Sequence, residues 1–264
     1  MEGKKENNIT IIKILYVWQE KNDTFQSRYK IMRSSESNIS IPILNTYYNN
    51  NEILLRPRHI SINPFIDDNS LLVICDIFNI EGENLNYDKR YNLIKILEKY
   101  KDNIDKNNPK FSFSAKIKLT KKINYDIKEN ILDNLVNYCI KSKINITNYY
   151  YENESTIVIE NEFNNCKDCA DEFLYIKYLL SICSKHFEFE YEFINNLSYK
   201  FLDNDTKKIN GIDKLKEYSS KLGNNITIPD SIEKLKQGYL IDHSFKTDDC
   251  IYNNFIPIIE IIYK

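Results

Sequence analysis

Between Ile53 and Leu97 the spacing of apolar and polar positions predicts strand, turn, strand, turn and helix. Leu54 and Leu55 lead into Arg56-Pro57, and His59 to Ile62 alternates polar with apolar. Asn63-Pro64 and Asp67-Asp68-Asn69 supply turn chemistry, after which Leu71 to Phe78 form a continuous apolar run rich in strand formers. Past Glu81-Gly82 the period lengthens. Leu93, Ile94 and Leu97 fall on one helical face, with Asp88 near the positive end of that helix's dipole. Upstream, Ile9 to Trp18 is a largely apolar run of strand character.

A second unit is predicted beyond the charged, Asn-rich segment Lys99 to Asn108 and the Pro109 that follows it. Phe111, Phe113, Ala115, Ile117 and Leu119 alternate with Ser and Lys, the pattern of a strand with one buried face. Ile131, Leu135, Tyr138 and Cys139 take helical spacing, and Lys143 to Ile146 opens the next strand. Glu154 to Phe163 alternates, Asp171 to His186 is strongly helical in period, and Phe187 to Phe193 alternates again. This order predicts an α+β fold whose sheet is covered by helices on one side, divided into domains over 10–105 and 109–264.

Composition narrows the function classes. A chain of 264 residues that is 42% hydrophobic and 28% charged can bury a proper core and is far from the signature of disorder. A formal net charge of -2 with no basic stripe gives no footprint for nucleic acid, and nothing in the pattern supports a membrane. Six cysteines stand at 75, 139, 166, 169, 183 and 250, and Cys166-x-x-Cys169 has no second pair at zinc-finger spacing. The polar start MEGKKENN is not of signal-peptide type, which predicts a cytoplasmic protein with free thiols. The weight of Asn, Ile, Lys and Tyr, all with AT-rich codons, points to an AT-rich genome such as that of a large DNA virus, an amoeba or a parasite.

Several motifs, taken in order, resemble the eukaryotic-type glutamine synthetase family. Tyr16-Val17-Trp18 resembles the strand that opens its small domain, and Phe25 to Lys30 and Ile41 to Asn45 resemble the two segments after it. Leu55-Arg56-Pro57, Asn63-Pro64-Phe65, Val73-x-Cys75-Asp76 and Lys89-Arg90 follow with near-gapless spacing. Asp171 and Tyr178 match a later helix, where Lys177 replaces an Arg, and Gly211-Ile212 to Lys221-Leu222-Gly223 resembles another. The resemblance implies a small β-grasp-like N-terminal domain followed by a truncated catalytic sheet-and-helix domain.

The family's chemistry needs Mg or Mn, ATP and a lining of Glu, His and Arg, because phosphoryl transfer to a carboxylate accumulates negative charge. Most of the matching positions have lost that character. The two Glu of the first ligand strand fall on Ser114 and Lys116, and a third falls on Ile159, with Glu160 one place away. Glu152 is kept and is the candidate vestigial metal ligand; His243 is kept, but the Glu after it is Ser244. Arginines fall on Gln237, Gly238, Ile258 and Tyr263, and the Asp-bearing loop that reaches a neighbouring subunit falls on Thr46 to Asn50.

The resemblance therefore implies a pseudoenzyme with no catalytic and no cofactor-binding residues. It would serve as a scaffold or interaction protein, associating with itself or another protein but not with nucleic acid or membrane. The family's ten-subunit double ring is not expected in its usual form. An apolar last strand, Phe255 to Tyr263, is expected to leave an open sheet edge. The alternative is a divergent ATP-dependent glutamate–ammonia ligase, or another carboxylate–amine ligase.

Overall fold

The computed structural model describes residues 10–20, 24–34, 40–48, 50–66, 69–85, 89–120 and 125–193, with shorter pieces at 196–202, 226–227, 239–244, 255–256, 259–260 and 263. Asp88, Cys250, Gln237, Gly238, Ile258 and the expected helix from Gly211 to Gly223 lie outside the described residues. Strands and helices both occur, so the class is α+β. The chain divides into two compact units, Met1–Asp88 with Lys141–Lys143, and Lys89–Ile140 with Ile144–Lys264.

The first unit is a five-stranded sheet of β1 (Thr10–Gln19), β2 (Phe25–Ser34), β3 (Leu44–Tyr48), β4 (Asn51–Ile62) and β5 (Ser70–Phe78), in the order β2-β1-β5-β4-β3. The predicted strands at 54–62 and 71–78 are β4 and β5. Alternate residues of three of these strands build the core: Ile12, Ile14, Tyr16 and Trp18 from β1, Ile53 and Leu55 from β4, and Val73, Cys75 and Ile77 from β5. Tyr16 is fully buried and still satisfies its hydroxyl by donating to the Pro42 carbonyl at 2.8 Å. Pro57 lies within an interior strand because the register shifts between Pro57 and His59, a bulge that relieves it of one ladder bond.

Where the resemblance places a reaching loop, the described residues Thr46 to Tyr48 are strand and Asn50 is a turn. Thr46, Tyr47 and Tyr48 belong to β3 and pair with Ile53, Glu52 and Asn51, and Asn50 closes the hairpin with φ 63, a conformation Asn tolerates. Thr46 is buried and accepts a hydrogen bond from Arg28 on β2.

The second unit begins with α1 (Lys89–Lys99) and α2 (Lys101–Asn107) and continues through β6 (Lys110–Leu119), α3 (Tyr125–Lys141), β7 (Ile146–Asn153), β8 (Thr156–Asn161), α4 (Cys166–His186), β9 (Tyr191–Phe193), β10 (Asn196–Leu202), β11 (Ile226–Thr227) and β12 (Tyr239–Ser244). Its sheet runs β11-β12-β10-β6-β8-β7, with β9 also paired to β6. The division expected between 105 and 109 falls instead at 88/89. Arg90 on α1 explains the difference: it is buried and bonded twice to Asp171 on α4, which ties the helix to the second unit.

Helix α4 starts five residues before the apolar period shows it, because Asn165 caps it by accepting the Asp168 N–H at 2.9 Å. Phe113 of β6 meets Phe173 of α4 edge-on, ring centroids 5.2 Å apart, a contact worth about 0.5–1.5 kcal/mol beyond burial. The expected terminal strand is a correction. Phe255, Ile256, Ile259, Glu260 and Tyr263 are helical, with Phe255 and Ile259 fully buried and the Phe255 ring 5.0 Å from that of Phe111. The spacing 255, 259, 263 is that of one helical face, so these described residues form no strand edge.

Candidate functional site

Strand β6 has two chemically distinct faces. Phe111, Phe113, Ala115, Ile117 and Leu119 are buried, and Phe113 packs against α4. Ser112, Ser114, Lys116 and Lys118 occupy the other face, where the sequence places the lost ligand positions. Both lysines are engaged across the sheet. Lys116 on β6 pairs with Glu152 on β7, and Lys118 pairs with Glu192 on β9 at 3.0 Å.

Glu152, the predicted vestigial metal ligand, therefore carries an ammonium in contact with its carboxylate. The pair is partly open to solvent, with side chains 27% and 41% exposed, so it contributes little to stability. Its chemical consequence is larger: a protein cation stands beside the one carboxylate retained from the expected ligand set. Ile159 is not on this face at all. It lies fully buried opposite Ala115, while Glu160 lies opposite Ser114 and so shares the face of Lys116. Ser114 and Lys116 thus share a face with Glu160 and not with Ile159, because a single-residue shift in a strand exchanges its faces.

These donors do not fit a hard divalent cation, which takes six or more oxygens and is repelled by an ammonium. Among the described residues no group of three or more His, Cys, Asp or Glu could hold a metal ion. His243 lies on β12 opposite Leu197, and its side chain is outside the described residues. A cavity of about 340 Å³ opens elsewhere in this unit, against α1, α2 and the start of α4. Lys101 and Lys167 on its wall are balanced by Glu98 and Asp105, giving no net attraction for a polyphosphate.

Two buried carboxylates escaped the sequence reading as structural groups. Asp171 receives both Nε and Nη2 of Arg90, at 2.8 and 2.9 Å, with both residues almost wholly enclosed. Next to it on α4, Glu172 accepts from Asn161 at 2.8 Å and from Asn164 at 3.3 Å, and Asn161 in turn accepts the Phe113 N–H at 2.7 Å. Burial raises the Glu172 pKa, opposed by the two Asn bonds. A carboxyl whose folded pKa lies above its unfolded value contributes stability below the unfolded pKa and loses it as pH rises through the folded one. The stability of the native chain relative to Glu172→Gln should therefore fall from acid to neutral pH, as read from urea unfolding of both proteins at each pH.

The five described cysteines, Cys75, Cys139, Cys166, Cys169 and Cys183, are free thiols and all buried. Desolvation pushes each thiol up, Cys183 to about 12. Cys166 and Cys169 open α4 one turn apart, and both are enclosed. An aromatic disulfide reagent at pH 8 is expected to label none of these five in the native chain and all of them after denaturation. Rapid native labelling of Cys166 or Cys169, localised by peptide mass, would contradict that.

Among the described residues no helix is long and apolar enough to cross a membrane. No family model matches the chain. A putative glutamine synthetase of Acanthamoeba polyphaga mimivirus is 30% identical over 114 residues, 38% of this chain and 32% of that protein. Glutamine synthetase of Hordeum vulgare is 44% identical over 46 residues, and root isozyme A of Pisum sativum 47% over 45, each match covering 13% of the plant protein. The chain thus spans about a third or less of the length of these relatives. A glutamine synthetase structure from Plasmodium falciparum superposes with a TM-score of 0.70 at 11% identity, over 99% of this chain and 73% of that one.

Proposed function

We propose that this chain, which is a divergent, partial relative of the glutamine synthetases, is a pseudoenzyme that keeps the scaffold for binding or assembly. The observation that carries the reading is the Lys116–Glu152 pair on the face where the resemblance places acidic ligands. Lys116 supplies as a side chain the positive charge that a bound metal would otherwise bring. Glutamine synthesis then has neither its metals nor its phosphate arginines. A working carboxylate–amine ligase is the poorer reading, since no other cluster in the described residues offers a replacement metal site.

The five-stranded sheet is taken as the counterpart of the family's small β-grasp-like domain, its strands carrying the matching motifs in order. Free buried thiols and the codon bias support a cytoplasmic protein of an AT-rich genome, and the viral relative supports a large DNA virus as source. The partner is taken to be protein, either a second copy or a foreign chain.

Titration of Mn²⁺ followed by electron spin resonance tests the reading. The native chain should show no stoichiometric binding, whereas Ser114→Glu with Lys116→Glu, which sets two carboxylates beside Glu152 and Glu160, should acquire it. Equal, saturable binding by both proteins would overturn the proposal, because the lysine would then exclude nothing.

A further inference from the structure

The cavity against α1, α2 and the start of α4 is lined by residues of the second unit alone. Pro109, Cys166 and Ile259 in its lining are buried, whereas Ile94 and Leu97 of α1 and Ile104 of α2 are only half-buried. Three large aliphatic side chains therefore border a space that the described residues leave unfilled. At about 340 Å³ it falls within the range of small-molecule sites, about 300–1,000 Å³, which are mostly apolar with a few polar groups that fix the ligand's orientation.

Those polar groups carry both signs. Glu98 of α1 and Lys101 and Asp105 of α2 line the cavity, are exposed, and have no ion-pair partner among the described residues. Lys167 at the start of α4 differs, since it pairs with Asp168 at 3.3 Å. A ligand of one sign only would meet as many like charges on this wall as opposite ones. A ligand with an apolar body and one charge of each sign meets a partner for every part.

We propose that this cavity binds a free amino acid with an aliphatic side chain, such as L-leucine. The side chain would lie on Ile94, Leu97 and Ile104, the carboxylate would meet Lys101, and the ammonium would meet Glu98 and Asp105. Removal of the aliphatic group from water supplies most of the affinity, because ion pairs at an exposed rim contribute little. The charges act mainly on selectivity: a second carboxylate, as in glutamate, would add a net charge and offer no apolar body. None of these residues belongs to the Lys116–Glu152 face, so the proposal goes beyond the pseudoenzyme reading and does not depend on it.

The test titrates L-leucine into the full ¹⁵N-labelled chain and follows the amide shifts. Saturable shifts concentrated on α1, α2 and the start of α4 are expected. Isocaproate, which lacks the ammonium, and isoamylamine, which lacks the carboxylate, should each bind roughly fivefold more weakly, and L-glutamate should not saturate. Lys101→Gln with Asp105→Asn should weaken leucine binding by a similar factor, with unchanged circular dichroism to show that the variant folds. If it does not fold, the three analogues on the native chain decide the matter. Absence of saturable shifts with leucine, or shifts centred on other elements, would overturn the proposal. So would equal binding of either singly charged analogue or of glutamate, or undiminished binding by the folded variant, any of which would mark an unselective cavity.

Discussion

Asp171→Ala is expected to destabilise the second unit by about 3–5 kcal/mol, the cost of leaving a buried guanidinium without its counter-ion. Arg90 and Asp171 are 6% and 2% exposed, and their two parallel hydrogen bonds leave little room for water to compensate. Arg90→Ala should cost a similar amount by stranding the carboxylate. Removing both charges should be gentler than removing either: Arg90→Met with Asp171→Leu fills the space with apolar atoms and is expected to recover most of the loss. Urea unfolding followed by far-ultraviolet circular dichroism measures all four proteins. A single variant within about 0.5 kcal/mol of the native chain, the range of ordinary surface changes, would show that the pair is not the tie between α1 and α4.

That pair also explains why the motif residues Lys89-Arg90 and Asp171 stand where they do. They were visible in the sequence as separate matches 81 positions apart, and only folding brings them together as one structural contact. Strands β4, β5 and β6 were legible because their alternation is regular and their turns carry Asn, Asp, Pro or Gly. The start of α4 was not, since Asn165 acts through a cap rather than through periodicity. The C-terminal residues were misread as strand because Ile-rich runs suit both structures, and burial at 255 and 259 decides for helix. At the candidate site the residue types at Ser114 and Lys116 were legible, but the face that Glu160 shares with them was not. That depended on the register of β8 against β6, which residue types alone do not fix.

Glutamine synthesis is expected to be absent. Removing one preorganised charged group from an active site typically costs roughly 100- to 1,000-fold in rate. Here Ser114, Lys116, Gln237, Gly238, Ile258 and Tyr263 stand at positions the resemblance assigns to ligands or phosphate arginines, so the losses compound. No γ-glutamyl hydroxamate should form above a buffer blank with glutamate, hydroxylamine, ATP and Mg²⁺ or Mn²⁺. Binding is the more direct question, because a slow enzyme and an inactive scaffold differ first in whether the nucleotide is held. Calorimetric titration of Mg-ATP into the full chain should give only the heat of dilution. Saturable heat that disappears in Glu152→Ala would show that the carboxylate beside Lys116 still serves a metal–nucleotide site, and would contradict the account.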